Sequence, residues 1–90
     1  MPSWKIPTPF RYYTAGQAVV SVNGQTVDAA LADLINQYPN LKTHLFKGTG
    51  ELRAFVNIFV GEDNIKNLLG LETAVGEYDE LRLVPSISGG

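Results

Sequence analysis

The clearest apolar periodicity in the chain lies between Thr26 and Tyr38. Val27, Ala30, Leu31, Leu34, Ile35 and Tyr38 recur at the three- and four-residue spacing that puts all of them on one helix face. Asp33, Asn36 and Gln37 fall between them and belong to the solvent side. Thr26 stands where a helix cap is needed, and Asp28 puts a negative charge in the first turn, where the helix dipole favours it. Pro39 disfavours helical backbone at Tyr38 and ends the run. Two further runs have strand character. Ala18-Val19-Val20-Ser21-Val22 is rich in β-branched residues and is closed by the turn signal Asn23-Gly24. In Phe55-Val56-Asn57-Ile58-Phe59-Val60, Val56, Ile58 and Val60 share one face, and Phe55, Asn57 and Phe59 share the other.

The remaining segments carry weaker patterns. Residues 4–11 are extended in character, with Pro7 and Pro9 removing donors from the same side of a strand. Residues 14–17 then turn the chain back, so residues 4–11 and 18–22 predict a hairpin. Leu41, Leu45 and Phe46 predict a second short turn of helix, closed by Gly48-Thr49-Gly50. Gly61-Glu62-Asp63-Asn64 leads into a short fourth strand or edge, and residues 67–71 hold one helical turn. A polar turn at residues 76–80 precedes the last strand, Leu81-Arg82-Leu83-Val84.

The predicted order is therefore strand, strand, helix, strand, weaker strand, strand. One amphipathic helix covers one face of such a sheet. The connection between the first and last strands is long enough for them to lie side by side in parallel. The fold class this predicts is α+β, a β-grasp: a mixed sheet with one main helix packed on one face. Residues 1–84 form the domain and residues 85–90 a flexible tail, since nothing after Pro85 is apolar enough to dock firmly.

Composition narrows the chemistry. A length of 90 residues suits a single domain burying roughly 60–65% of its unfolded surface. A net charge of −2, with the cations scattered, does not suit a binder of nucleic-acid backbones. No apolar run is long enough to span a bilayer and no signal peptide opens the chain, so no membrane partner and a cytoplasmic location are expected. The absence of cysteine removes disulfides, thiolate metal sites and a cysteine nucleophile. His44 is the only histidine, which leaves no ordinary zinc site and marks it as a surface or helix-end residue. The expectation is a protein that is not an enzyme and binds no metal.

The tail holds the remaining chemistry. Ser86, Ile87, Ser88, Gly89 and Gly90 form a slender end whose last two residues lack a Cβ and fit a narrow channel. A terminal carboxylate at Gly90 is ionised at neutral pH and is a competent oxygen nucleophile.

Ile6-Pro7-Thr8, Phe55-Val56-Asn57-Ile58, Gly76-Glu77-Tyr78-Asp79-Glu80 and the finish Val84-Pro85-Ser86-Ile87-Ser88-Gly89-Gly90 together resemble the MoaD/ThiS family of ubiquitin-like sulfur carriers. The resemblance runs essentially the length of the chain, and the first two strings are most similar to the carrier of a cysteine-biosynthesis route. It implies that the chain is a substrate and binds no cofactor itself. An adenylyltransferase of the ThiF/MoeB type would use ATP and magnesium to adenylate Gly90, and a sulfide donor would leave a thiocarboxylate there. Residues Ser86, Ile87, Ser88, Gly89 and Gly90 would enter the partner's active site. The sulfur acceptor would be a pyridoxal-phosphate cysteine synthase or the large subunit of molybdopterin synthase, with thiazole formation a third destination.

Strand alternation adds an expected docking patch. If the helix covers Val56, Ile58, Leu81 and Leu83, then Phe55, Phe59, Arg82 and Val84 lie on the open face. A slip of one residue would instead turn both phenylalanines into the core. Two other functions stay open: a ubiquitin-like modifier joined through Gly90 to target lysines, and a plain β-grasp binding module.

Overall fold

The computed structural model describes residues 1–85. Helix α1, Val27–Gln37, begins where Thr26 turns extended (φ −135°, ψ 163°) and its hydroxyl accepts the Ala29 amide at 3.1 Å. Val27, Ala30, Leu31 and Leu34 are buried, as their spacing predicts, while Ile35 and Tyr38 at the helix end are half-buried. Strands β1 (Ser3–Lys5), β2 (Val19–Ser21), β3 (Val56–Val60), β4 (Asp63–Asn64) and β5 (Glu80–Pro85) form one sheet in the order β2-β1-β5-β3-β4. The pair β1–β5 is parallel and the others are antiparallel. This is the mixed β-grasp sheet, with the last strand at its centre.

Register explains the core. Trp4 stands opposite both Val20 and Leu81, and Ile58 stands opposite Leu83. These residues, with Val56, meet the apolar face of α1 in one cluster. Trp4 is 0% exposed, and its indole Nε1 donates to the Ala30 carbonyl at 3.0 Å, so its one polar atom is satisfied inside the core. The polar side of α1 is tied to β2. Asp33 Oδ2 accepts the Asn23 amide at 2.9 Å and Gln37 Nε2 at 3.2 Å, and Gln37 also donates to the Ser21 carbonyl at 3.0 Å. Between β2 and α1 the chain passes so close to the helix that a Cβ at Gly24 would lie 2.6 Å from the Ala30 nitrogen. With φ +152°, the position accepts glycine alone without strain.

The first strand is shorter than predicted. Regular pairing stops at Lys5, with one more bond from the Ile6 amide to the Ala18 carbonyl at 2.8 Å. Residues 8–11, expected to be extended, belong instead to a 3₁₀ helix, Thr8–Thr14. The two prolines decide this. A proline has no N–H to offer a ladder, and its fixed φ suits the first turn of a helix, where Pro9 sits. The bend carries Phe10 into the core. Ala15, in the left-handed region at φ 54°, and Gly16 at φ 80° then reverse the chain into β2.

The predicted second turn of helix is present as a 3₁₀ turn, Pro39–Leu41, running into α2, Lys42–Leu45. His44 lies on α2, with its ring stacked on Tyr13 at 4.0 Å between centroids. Two 3₁₀ turns, Ile65–Asn67 and Gly70–Glu72, connect β4 to the segment before β5. There the buried Thr73 carbonyl accepts the Val27 amide at 3.0 Å, and the Val75 amide donates to Gln25 at 2.9 Å, which locks this segment to the start of α1. No helix among the described residues is long and apolar enough to cross a membrane.

Candidate functional site

Strand β5 ends at Pro85, which pairs with Val56 of β3. The last residue described therefore leaves the centre of the sheet at the end where β3 begins. Ser86, Ile87, Ser88, Gly89 and Gly90, expected to enter a partner's active site, lie outside the described residues. What the structure defines is the surface from which they depart.

Alternation along β5 sends Leu81 and Leu83 into the core and leaves Arg82 half-buried and Val84 40% exposed on the open face. On β3, Val56 and Ile58 are buried and Asn57 and Phe59 are not. The register sets Phe59 opposite Arg82 and Asn57 opposite Val84, so these four are lateral neighbours on the face away from α1. Phe55, one residue before β3, is 42% exposed. Both phenylalanines therefore stay out of the core cluster, and the inverted register is excluded.

Arg82 is held in place from two directions. Its guanidinium carbon lies 5.6 Å from the centroid of the Phe59 ring, a cation–π arrangement. Its Nη2 donates to the Gly61 carbonyl at 2.9 Å. Such a clamp presents a flat, partly apolar surface with a fixed positive charge, suited to a partner that covers aromatic and aliphatic side chains and supplies an acceptor.

Lys5 and Arg11 also belong to this surface and were missed in the sequence pattern. With Pro7, Arg82 and Val84 they line an open groove of about 240 Å³ beside β5. Lys5 stands next to Arg82 in the parallel register and forms an ion pair with Glu80 at 3.6 Å. Parallel pairing of first and last strands was enough to place Lys5 there. Arg11 reaches the groove only through the 3₁₀ bend, where its Nε donates to the Ile6 carbonyl at 3.0 Å. No group of three or more histidine, cysteine or acidic side chains that could hold a metal ion occurs among the described residues.

Comparison with known proteins points the same way. The model of the ThiS family matches residues 4–90. The sulfur carrier protein CysO of Mycobacterium tuberculosis is 36% identical over 87 residues, covering 94% of each chain. A chain of the crystal structure of the Amycolatopsis orientalis BexX/CysO complex superposes with a TM-score of 0.90 at 30% identity, covering 100% of both chains. The solution structure of small archaeal modifier protein 1 from Methanosarcina acetivorans superposes with a TM-score of 0.88 at 32% identity, over 99% of this chain and 95% of that one.

Proposed function

The chain belongs to the ThiS family of ubiquitin-like sulfur carriers, and from that membership we propose that it carries sulfur as a thiocarboxylate on Gly90. The observation that carries the proposal is the family match, which extends through residue 90 over a fold whose central strand delivers the chain to Pro85. In the proposed cycle the Gly90 carboxylate attacks the α-phosphorus of ATP, bound with magnesium by a ThiF/MoeB-type adenylyltransferase. Pyrophosphate leaves and an acyl adenylate forms. Sulfide sulfur then adds to the carbonyl carbon and AMP departs, leaving the thiocarboxylate. The chain itself holds no catalytic group in this scheme and binds no cofactor.

Docking falls to the body. Phe55, Phe59, Arg82 and Val84 would form the contact surface, and Ser86, Ile87, Ser88, Gly89 and Gly90 would enter the partner's active site. Identity to CysO favours cysteine biosynthesis as the destination, with a pyridoxal-phosphate cysteine synthase as acceptor. A complex of CysO with a second protein, BexX, among the structural relatives supports delivery to a dedicated partner. The large subunit of molybdopterin synthase is the acceptor in the corresponding molybdopterin scheme. The test is to incubate the protein with its adenylyltransferase, ATP, magnesium and a sulfide source. Gain of the mass of one oxygen-to-sulfur exchange at Gly90 is the expected result; no ATP-dependent change would refute it.

The likeness to small archaeal modifier protein 1 favours a second use of the same activated end, conjugation through Gly90 to target lysines. An immunoblot of cell extract separates the two: a ladder of conjugates supports the modifier, and a single free band the carrier alone.

A further inference from the structure

Charge is distributed unevenly along the fold. Residues 61–80 contain Glu62, Asp63, Glu72, Glu77, Asp79 and Glu80 against the single cation Lys66. Residues 39–60 contain Lys42, Lys47 and Arg53 against the single acid Glu51. The sheet places three of the acids, Glu62, Asp63 and Glu80, at one end of the β3–β5 ladder. Glu62 lies in the turn after β3 and Asp63 opens β4, beside the Gly61 amide that donates to the Glu80 carbonyl at 2.9 Å at the start of β5. The opposite end of the β3–β5 ladder is the Val56–Pro85 pair, from which the tail departs. Five residue steps of β5 separate the two ends, about 17 Å at ~3.3 Å per residue.

Arg53 sits at the tail end. Its carbonyl accepts the Val56 amide at 3.0 Å, while its Nε and Nη2 both donate to the Thr43 carbonyl, at 3.1 and 2.9 Å. This fork ties α2 to the start of β3. Arg53, Lys42 and Lys47 then line one open cleft of about 650 Å³, with Thr43, Phe46 and the glycine-rich turn at residues 48–50. The turn is closed by the Gly50 amide donating to Lys47 at 2.9 Å and the Lys47 amide donating to Glu51 at 2.7 Å. On the other flank of the exit, Arg11 lines the groove that contains Val84. Lys42 and Lys47 are exposed, and among the described residues no carboxylate lies within 4.0 Å of the charged end of either lysine, of Arg53 or of Arg11.

From this arrangement we propose that Arg11, Lys42, Lys47 and Arg53 form a basic collar around the tail exit that docks against a carboxylate-rich rim at the mouth of the partner enzyme's tail channel. The proposal rests on the carrier function put forward above and adds the chemistry of the partner. The reasons are geometric and electrostatic. A partner that receives the tail must face the end of the domain from which the tail leaves. Among the described residues that end carries cations with no carboxylate within 4.0 Å, although Asp28 lines the pocket beside Lys42, while Glu62, Asp63 and Glu80 stand at the far end. A polar axis of this kind orients the carrier before contact and rejects approach by the wrong end. Four cations on a chain of net charge −2, with acids at the far end, do not make the extended basic surface that a nucleic-acid backbone or an anionic membrane requires.

The test is an ATP–pyrophosphate exchange assay with the ThiF/MoeB-type adenylyltransferase, with the carrier as the varied substrate. The variants are Lys42→Glu/Lys47→Glu, the conservative Lys42→Arg/Lys47→Arg, and Glu62→Lys/Asp63→Lys at the far end. Arg11 and Arg53 are left unchanged because each holds a backbone carbonyl. Charge reversal of the two lysines is expected to raise KM for the carrier about tenfold or more with kcat within about twofold, and to abolish the rise of KM with salt expected of the native chain. The arginine pair should restore native KM and the far-end pair should leave it far below that of the charge-reversed lysine pair, with unaltered melting curves throughout. A native KM in the Lys42→Glu/Lys47→Glu protein overturns the collar while leaving the carrier function standing. An equal loss from the far-end pair also overturns it. Salt-sensitive self-association of the native chain in sedimentation would assign the collar to a second copy and likewise overturn the proposal. No exchange with the native chain would refute the carrier function, and the collar with it.

Discussion

The guanidinium of Arg82 lies over the ring of Phe59, 5.6 Å from its centroid, on the sheet face that α1 does not cover. Each fixes the other: the ring gives the cation a face to rest on, and the bond from Arg82 to the Gly61 carbonyl stops the pair from sliding. Phe59→Asp removes the ring and places a carboxylate beside Arg82. We predict a loss of at least about tenfold in affinity for the activating enzyme, as for a hot-spot aromatic. The unfolding free energy should fall by only about 1–2 kcal/mol, from the lost cation–π contact and strand propensity. Titration calorimetry and urea denaturation check the two halves. Unfolding of the variant would show that Phe59 serves the core.

Leu34 is 0% exposed at the centre of the apolar face of α1. Leu34→Ala should cost about 2–5 kcal/mol, the range for fully buried leucines that leave a cavity. Urea denaturation monitored by circular dichroism measures it. A loss below about 0.5 kcal/mol, the scale of a surface substitution, would show that this face is not the core face.

Trp4 joins the first strand to the helix through its indole bond to the Ala30 carbonyl. Trp4→Phe keeps an aromatic ring but removes the donor and part of the volume, so a loss of about 1–3 kcal/mol is expected. Trp4 is the only tryptophan, so circular dichroism, not tryptophan fluorescence, must follow the unfolding.

Gly24→Ala would drive a methyl to 2.6 Å from the Ala30 nitrogen, against helix backbone that cannot rotate aside. The expected cost is about 1–3 kcal/mol from the strained backbone, with more added by the clash. Gly16→Ala, where a Cβ meets nothing within 4 Å, should cost less despite its φ of +80°. Paired melting curves of the two variants check the order.

Which parts of this were legible in the sequence depended on how many residues carried each signal. Six apolar positions and a capping threonine defined α1, and its burial follows. The alternation of residues 55–60 set the faces of β3 and, with Arg82 and Val84, the open surface. Residues 8–14 were not legible, because Pro7 and Pro9 suit both an interrupted strand and a helix start. Phe10 packing into the core tips the balance toward the bend, and that contact is tertiary. Three residues of β1 are too few to show a period, so the depth of Trp4 was hidden as well. The groove past Arg82 was half visible: Lys5 follows from strand order, whereas Arg11 needs the bend.

The central claim is that sulfur is carried on Gly90, and removal of that one residue tests it most directly. The full chain and the chain ending at Gly89 are incubated side by side with adenylyltransferase, ATP, magnesium and sulfide, and the product is read by mass spectrometry. Among the described residues the core runs from Trp4 to Leu83, and both proteins should melt alike. Deletion withdraws the reacting carboxylate by up to ~3.6 Å, and displacement of about 1 Å can already cost on the order of a hundredfold in rate. The account predicts thiocarboxylate on Gly90 of the full chain and none on the shortened one. Equal rates of thiocarboxylation in the two proteins would contradict it.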